Sequence, residues 1–221
     1  MKKIINRIKH LELSGNVYYC TDIHGRFDLL EEEMNKAQFN RTRDSLIVGG
    51  DSIDRGPLSH LVLDYLDNTY TKMIKGNHEE LYIKAFEEDW RGTWTDCFLG
   101  NGGLWISRLG KDERREIYDF FIQLPTAIEL HLKNEVIGIV HADCGSDWIS
   151  FKENIQEDRV YQEAIWSRLR YNSQDDSIVK NIDKVLVGHT PTDSGLPEIL
   201  GNVRFCDLGA VYRGKLGFWK L

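Results

Sequence analysis

The sequence predicts an α/β layered fold with mixed β-sheets. Strand-like and helix-like segments alternate through its front half, and strands crowd its back half. A second observation points to the same architecture. Six apolar runs each give way, within one to three residues, to Asp22, Asp51, Asn77, His141, His189 or Asp207. Ligands of such folds sit in the crevice beyond the carboxyl ends of the strands, so these residues mark the expected site.

The elements follow in order. NVYYC (16–20) reads as a strand, and Leu29, Leu30, Met34 and Ala37 then fall at helical spacing. SLIVGG (45–50) is β-rich and leads into LSHLVLDYL, again with helical spacing. TKMIK (71–75) precedes the amphipathic stretch HEELYIKAF. A longer helical region over 111–123 is followed by the runs TAIELHL and EVIGIV (135–140). Tyr161 to Leu169 reads as helix, followed by the strands KVLVG (184–188), VRFC (203–206) and the terminal KLGFWKL. The chain has no internal repeat, low-complexity tract or Pro/Gly/Ser linker, so a single domain over 1–221 is expected. Segments 92–110 and 143–160 read as recognition loops without a legible signature.

Composition excludes several classes. No stretch approaches the roughly 18 to 20 apolar residues of a membrane span. The basic start MKKIINRIKHLELSG lacks an apolar h-region, so a signal peptide is not expected. A cytoplasmic protein without a membrane partner is the expectation. The net charge of −7, from 28 Lys and Arg against 35 Asp and Glu and without basic runs, argues against nucleic-acid capture. Cys20, Cys97, Cys144 and Cys206 form no CxxC pair, and none is followed by a phosphate loop ending in Arg. Zinc ribbons, dithiol redox sites and cysteine-nucleophile phosphatases are therefore disfavoured, and reduced core thiols are expected.

The chemistry lies at the strand ends. In Thr21-Asp22-Ile23-His24-Gly25, the acid and the imidazole are two residues apart and can turn toward one ion. In Gly50-Asp51-Ser52-Ile53-Asp54-Arg55-Gly56-Pro57, a carboxylate able to bridge two hard cations precedes a second acid. The adjoining Arg can fork onto phosphate oxygens. Gly76-Asn77-His78-Glu79 puts an amide ligand beside an acid/base group. His141-Ala142-Asp143 and Gly188-His189-Thr190 each add an imidazole. A donor set rich in oxygen and nitrogen, without thiolate, suits Mn, Fe or Zn. Gly209 to Lys215 matches the start of a nucleotide phosphate loop, but Leu216 replaces the required Ser/Thr, and it reads as a coincidental turn.

The order D-x-H-G, G-D-x-x-D-R-G, G-N-H-E, H-A-D and G-H-T resembles the phosphoprotein phosphatase family. It is most similar to the compact bacterial and phage branch typified by the phage lambda enzyme. The match runs from about Asn16 to the C-terminus and takes in Trp166-Ser167-Arg168 and Asp207-Leu208-Gly209-Ala210. The resemblance implies a calcineurin-like metallophosphoesterase sandwich, two mixed sheets flanked by helices. It also implies serine/threonine protein phosphatase activity, with phosphotyrosine as a further substrate, on phosphorylated proteins or peptides. By the same resemblance Asp22, His24 and Asp51 hold a first divalent ion, and Asp51 bridges to a second completed by Asn77, His141 and His189. Two Mn²⁺ ions are the expected pair, with Fe or Zn as alternatives. Arg55, Arg168 and Asn77 contact the phosphate, and His78, oriented by Asp54, is the general acid. Attack would be in line by a metal-bridging hydroxide. Glu79 and Asp143 are expected to support the site without touching substrate, and Asp207 to be a buried acid nearby.

Departures and rivals bear on substrate. Thr21 stands where Gly is usual, Cys144-Gly145-Ser146 follows the H-A-D motif, and Leu208 replaces a common Thr. None removes a ligand. The alternative is a symmetrical dinucleoside-tetraphosphate hydrolase of the same superfamily. Those enzymes usually lack the acid at Asp54 and carry G-N-H-D. Metallo-phosphodiesterases commonly have a second His where Pro191 stands. A non-catalytic phosphopeptide-binding module would have lost a ligand or the acid, and no such residue is missing here.

Overall fold

A computed structural model describes residues 7–13 and 15–221. Residues 1–6 and 14, which belong to the basic start considered above, lie outside them. The first sheet is built from β2 (Val17–Cys20), β3 (Ser45–Val48), β4 (Thr71–Met73) and β10 (Trp219–Lys220), in the order β10-β2-β3-β4. β2, β3 and β4 are parallel, and β10 closes the edge antiparallel to β2. The second sheet has the order β1-β5-β6-β7-β9-β8. It comprises β1 (Ile8–Glu12), β5 (Ala127–His131), β6 (Val136–Val140), β7 (Lys184–Val187), β8 (Glu198–Leu200) and β9 (Val203–Phe205). Parallel β1–β5, β6–β7 and β7–β9 pairs combine with antiparallel β5–β6 and β8–β9 pairs, so the sheets are mixed as expected.

Side-chain alternation accounts for the layering. Val17, Tyr19 and Ile47 of the first sheet meet Ile128, Leu130, Ile137, Ile139 and Leu186 of the second in one shared core. The intervening residues Tyr18, Cys20, Leu46 and Val48 point the other way. They pack under α1 (Phe27–Lys36), α3 (Asn77–Glu87), α4 (Thr93–Gly100) and α5 (Lys111–Phe121), with α2 (Val62–Leu66) on the same side. On the far side Val140, Val185, Val187, Val203 and Phe205 pack under α6 (Trp148–Asn154), α7 (Asp158–Trp166) and α8 (Leu169–Ser173). Strands apolar on both faces are what a covered sheet demands. Burial of each such side chain contributes roughly 2 kcal/mol, which makes the strand ends firm platforms.

The structure departs from the sequence reading in several places. β1 was not anticipated, because only Ile8 and Leu11 of its five residues are buried and its pattern is too sparse to read. β8 is an edge strand of partly exposed residues with no apolar signal. The segments 92–110 and 143–160 are largely helical rather than loops. Phe98, Trp105 and Ile106 bury on one core, the latter two from a 3₁₀ turn at Gly103–Arg108, and Trp148, Phe151 and Ile155 bury on the other. The helix expected over 161–169 spans Asp158–Trp166 and stops where Ser167 turns extended. KLGFWKL contributes only Trp219–Lys220 to a strand, and Ala210–Arg213 forms a one-turn helix, α9. Cys20, Cys144 and Cys206 are buried free thiols, whereas Cys97 is exposed. Among the described residues no helix is long and apolar enough to cross a membrane.

One ion pair locks the outer face of the second sheet to α6. The Glu129 carboxylate on β5 accepts from Trp148 Nε1 at 2.6 Å and from Lys152 Nζ. Burial pushes this carboxyl up, but the Lys152 ammonium and the Trp148 and His131 donors more than reverse it and hold it at about 2. A depressed pKa contributes stability that is complete above the ordinary value of 4.5 and is lost as pH falls through about 2. Glu129→Gln is therefore expected to be less stable than wild type at pH 7 in urea unfolding, the gap closing between pH 4.5 and 2. A gap independent of pH would refute this account.

Candidate metal centre

The strand ends of both sheets meet along one rim, and the backbone there is bent to bring side chains inward. Past β2 and β3 the ladder continues through Asp22 N–H to Gly50 C=O (3.1 Å), His24 N–H to Asp51 C=O (2.9 Å) and Gly25 N–H to Ser52 C=O (2.7 Å). Asp22, His24, Asp51, Asp54, Arg55 and His189 all take left-handed φ, six of the eleven non-glycine residues that do so among those described. Each such conformation costs on the order of 1–3 kcal/mol, and such strain clusters at functional sites. Thr21 keeps a negative φ, as its β-branch requires, and its hydroxyl donates to Asp22 Oδ2 at 2.7 Å. A side chain at Gly188 would collide with Asp22 Oδ2 and Thr21 Oγ1, so glycine is needed for this close approach.

Glu79, in the first turn of α3, holds the rim together. Its carboxylate accepts from Asp51 N–H (2.9 Å), Ser52 N–H and Ser52 Oγ (2.8 Å each) and Gly76 N–H (2.8 Å). The loop after β3 is thereby fixed to the start of α3. Asp51 Oδ1 accepts the His78 N–H at 3.0 Å, which leaves Oδ2 facing the imidazoles.

Three histidines are oriented by the same device. Nδ1–H of His24 donates to Ile53 C=O at 2.8 Å, and Nδ1–H of His141 to Gly49 C=O at 2.8 Å. Nε2–H of His189 donates to Trp166 C=O at 3.1 Å. With one nitrogen tied to a carbonyl, the other is aimed inward, the arrangement that metal-binding histidines adopt. His24, Asp51 and His78 form one buried group with ligand atoms within 4.8 Å of one another, and Asp51, His141 and His189 form a second. His141 Nε2 lies 3.2 Å from Asp51 Oδ2, while His24 and His78 Nε2 lie 3.9 Å from it.

The predicted ligand Asp22 stands outside both groups of three. Its carboxylate accepts the His189 N–H, 3.0 Å from each oxygen, and so joins the two sheets across the rim. Asn77 lies at the centre: its side-chain oxygen position is 2.9 Å from His189 Nδ1, 3.1 Å from His141 Nε2 and 3.3 Å from Asp51 Oδ2. An amide oxygen there faces acceptors only. Either the amide turns to donate to them, or a cation stands among them. Arg55 Nη1 is 2.9 Å from His24 Nε2 and points into the same space. Arg168 is exposed beside His189, close enough for its charge to act on that ring.

The electrostatics match a cavity shaped for positive charge. Burial lowers His24 and His189 to about 3, so both rings are neutral and able to ligate. At His141 burial acts downward, but Asp51 overrides it and lifts the ring to about 10. Burial raises Asp22, with Asp207 adding to the effect, and burial raises Asp207 itself to about 6. The donor set and the acceptors that converge on Asn77 fit divalent ions.

Asp54 and His78 form a separate pair. Both are completely buried, and His78 Nδ1 lies 2.6 Å from Asp54 Oδ2. His78 Nε2 has no hydrogen-bond partner. Sequence alone carries no sign that Trp105, 51 residues away, holds Asp54 by donating its Nε1–H to Oδ1 at 2.6 Å. Nor could it show Tyr212, whose exposed ring lies 5.9 Å from the Arg55 guanidinium. Asp143 accepts from Cys144 and Gly145 N–H and faces Arg170 at 3.7 Å, so it stabilises its own loop. Asp207 accepts from Gly209 N–H at 2.8 Å.

A two-sheet α/β sandwich with histidines and carboxylates converging at its strand ends defines a metallophosphoesterase. The chain belongs to the calcineurin-like phosphoesterase family, whose profile matches residues 15–218. It is 31% identical over 211 residues to serine/threonine-protein phosphatase 2 of Escherichia coli K12, covering 93% of each chain. It is 30% identical over 204 residues to serine/threonine-protein phosphatase 1 of Salmonella typhimurium, covering 91% of this chain and 89% of that one. A symmetrical bis(5'-nucleosyl)-tetraphosphatase of Shewanella loihica is 30% identical over 150 residues, covering 67% of this chain and 51% of that one. In fold, the chain is similar to a cold-active protein-tyrosine phosphatase of a psychrophilic Shewanella. The TM-score is 0.61 at 17% identity, covering 99% of this chain and 80% of that one.

Glu79→Gln places an amide nitrogen against backbone donors whichever way it turns. The variant is expected to lose about 2–3 kcal/mol in urea unfolding. An unchanged unfolding midpoint would contradict the pinning role.

Proposed function

We propose that this chain is a metal-dependent protein phosphatase, acting in the cytoplasm on phosphoserine and phosphothreonine in proteins or peptides, with phosphotyrosine open to the same chemistry. The observation that carries this reading is His78: a buried imidazole fixed by Asp54 through Nδ1, with Nε2 free beside the proposed ligands. Asp22, His24 and Asp51 would hold one divalent ion, and Asp51, Asn77, His141 and His189 a second. Mn²⁺ is the proposed pair, with Fe or Zn compatible with the same donors. When bound, such ions supply Lewis acidity and an activated water for in-line displacement at phosphorus.

The protein's own residues supply the rest. Arg55 and Arg168 receive the phosphate oxygens, with Asn77 beside them, and Arg55 offers a fork at the mouth of the site. A serine or threonine alkoxide is a poor leaving group and needs a proton as the P–O bond breaks. His78 Nε2 delivers that proton. Burial lowers the His78 pKa, but the Asp51 charge and the Asp54 hydrogen bond overcome it, and the net direction is upward. Trp105 and Asp54 hold the ring in the orientation that this transfer requires.

A symmetrical dinucleoside tetraphosphatase is the second reading, favoured by similarity to the Shewanella loihica enzyme. Its leaving group is itself a phosphate and needs no such acid. The buried Asp54–His78 pair and the near full-length similarity to the two bacterial protein phosphatases favour the first. The test is hydrolysis of a phosphoserine peptide, an aryl phosphate and diadenosine tetraphosphate by wild type and His78→Asn, each with added Mn²⁺. Wild type is expected to prefer the monoesters. The variant should lose about 10²–10⁴-fold in kcat on the peptide and less on the aryl ester. Preference for the dinucleotide would overturn the substrate reading, and equal losses on both monoesters would overturn the acid role.

A further inference from the structure

A second cluster of ligating atoms lies away from the rim, on the outer face of the six-stranded sheet. His10 on β1 and Glu129 on β5 are directly paired in the ladder, and His131 is two residues on along β5. His10 Nδ1 and His131 Nε2 each lie 3.0 Å from the same oxygen, Glu129 Oε1. All three atoms fall within 4.8 Å of one another. His131 pairs with Val136 at the start of β6, whereas the proposed ligand His141 follows the end of that strand. The cluster is therefore at the opposite end of the sheet from the metal centre and shares no residue with it.

We propose that His10, Glu129 and His131 form a surface cation site that takes a borderline divalent ion of the Zn²⁺ class and ties the edge strand β1 to β5. Two imidazoles and one carboxylate are the donors such ions select. Ligand atoms about 2.0–2.2 Å from a tetrahedral ion stand roughly 3.3 Å apart, close to the two 3.0 Å separations here. The carboxylate is already oriented. Trp148 Nε1 and Lys152 Nζ occupy Oε2 and leave Oε1 to the histidines, as supporting hydrogen bonds do around metal ligands. Lys152 also keeps the carboxylate ionised. An ion would replace the His131 hydrogen bond to Oε1, each imidazole then binding as a neutral ring with its proton on the nitrogen remote from Glu129. His10 and His131 are substantially exposed, which gives the ion an open path and leaves its remaining positions to water.

The consequence is local. Among the described residues β1 pairs with β5 alone and buries just two side chains, so a bound ion adds a cross-strand link at the edge of the sheet. The test is equilibrium dialysis against Zn²⁺ with metal analysis of wild type, His10→Ala/His131→Ala and the milder His131→Gln. Hydrogen exchange of the β1 amides is followed in parallel. Both variants are expected to bind one Zn²⁺ fewer per chain than wild type, and Zn²⁺ should slow β1 exchange in wild type alone. Their Mn²⁺-dependent phosphatase activity should be unchanged. Equal zinc content in all three chains, or equal protection of β1, would overturn the proposal. Because the buried centre is identical in the three chains, this difference is independent of whether the phosphatase reading holds.

Discussion

Lone pairs that face one another in a buried space repel, and this fold compels several of them to do so around Asp51. Backbone carbonyls at Gly49, Ile53 and Trp166 each capture one nitrogen of a histidine and leave the other aimed inward. Asn77 adds an amide oxygen position that meets acceptors on three sides. Two divalent ions would relieve this repulsion, and the calcineurin-like phosphoesterase family to which the chain belongs is built on such ions.

The convergence depends on strain stored in the backbone. Six side chains of the site sit on left-handed residues, and no helix or strand geometry would present them this way. Their cost is offset by the apolar interlayer between the sheets and by the four hydrogen bonds to Glu79, which hold the loop after β3 against the start of α3. Thr21, where glycine is usual, fits because the left-handed turn begins one residue later, at Asp22.

Much of this was legible in the sequence, for reasons that can be traced to particular residues. The runs ending at Cys20, Val48, Val140 and Val187 are apolar on both faces, so the strands and the polar residues beyond them were readable together. The D-x-H-G and G-N-H-E motifs pointed His24, Asn77 and His78 to the same strand ends, the family resemblance added the role of each, and the structure groups the three around Asp51. What stayed hidden was long-range or weakly patterned. Trp105 reaches Asp54 across 51 residues, β1 buries two side chains of five, and the carbonyls that orient the histidines carry no side-chain signature. The helices at Thr93–Gly100 and Trp148–Asn154 are about two turns long or less, too short for their apolar residues to set a period.

The account stands on paired cations shared by Asp51. Crystals grown with Mn²⁺ and measured at the manganese absorption edge test this most directly. Two anomalous peaks are predicted on either side of the Asp51 carboxylate, one against His24 and the other against Asn77, His141 and His189. Fewer than two peaks among these residues would contradict the account.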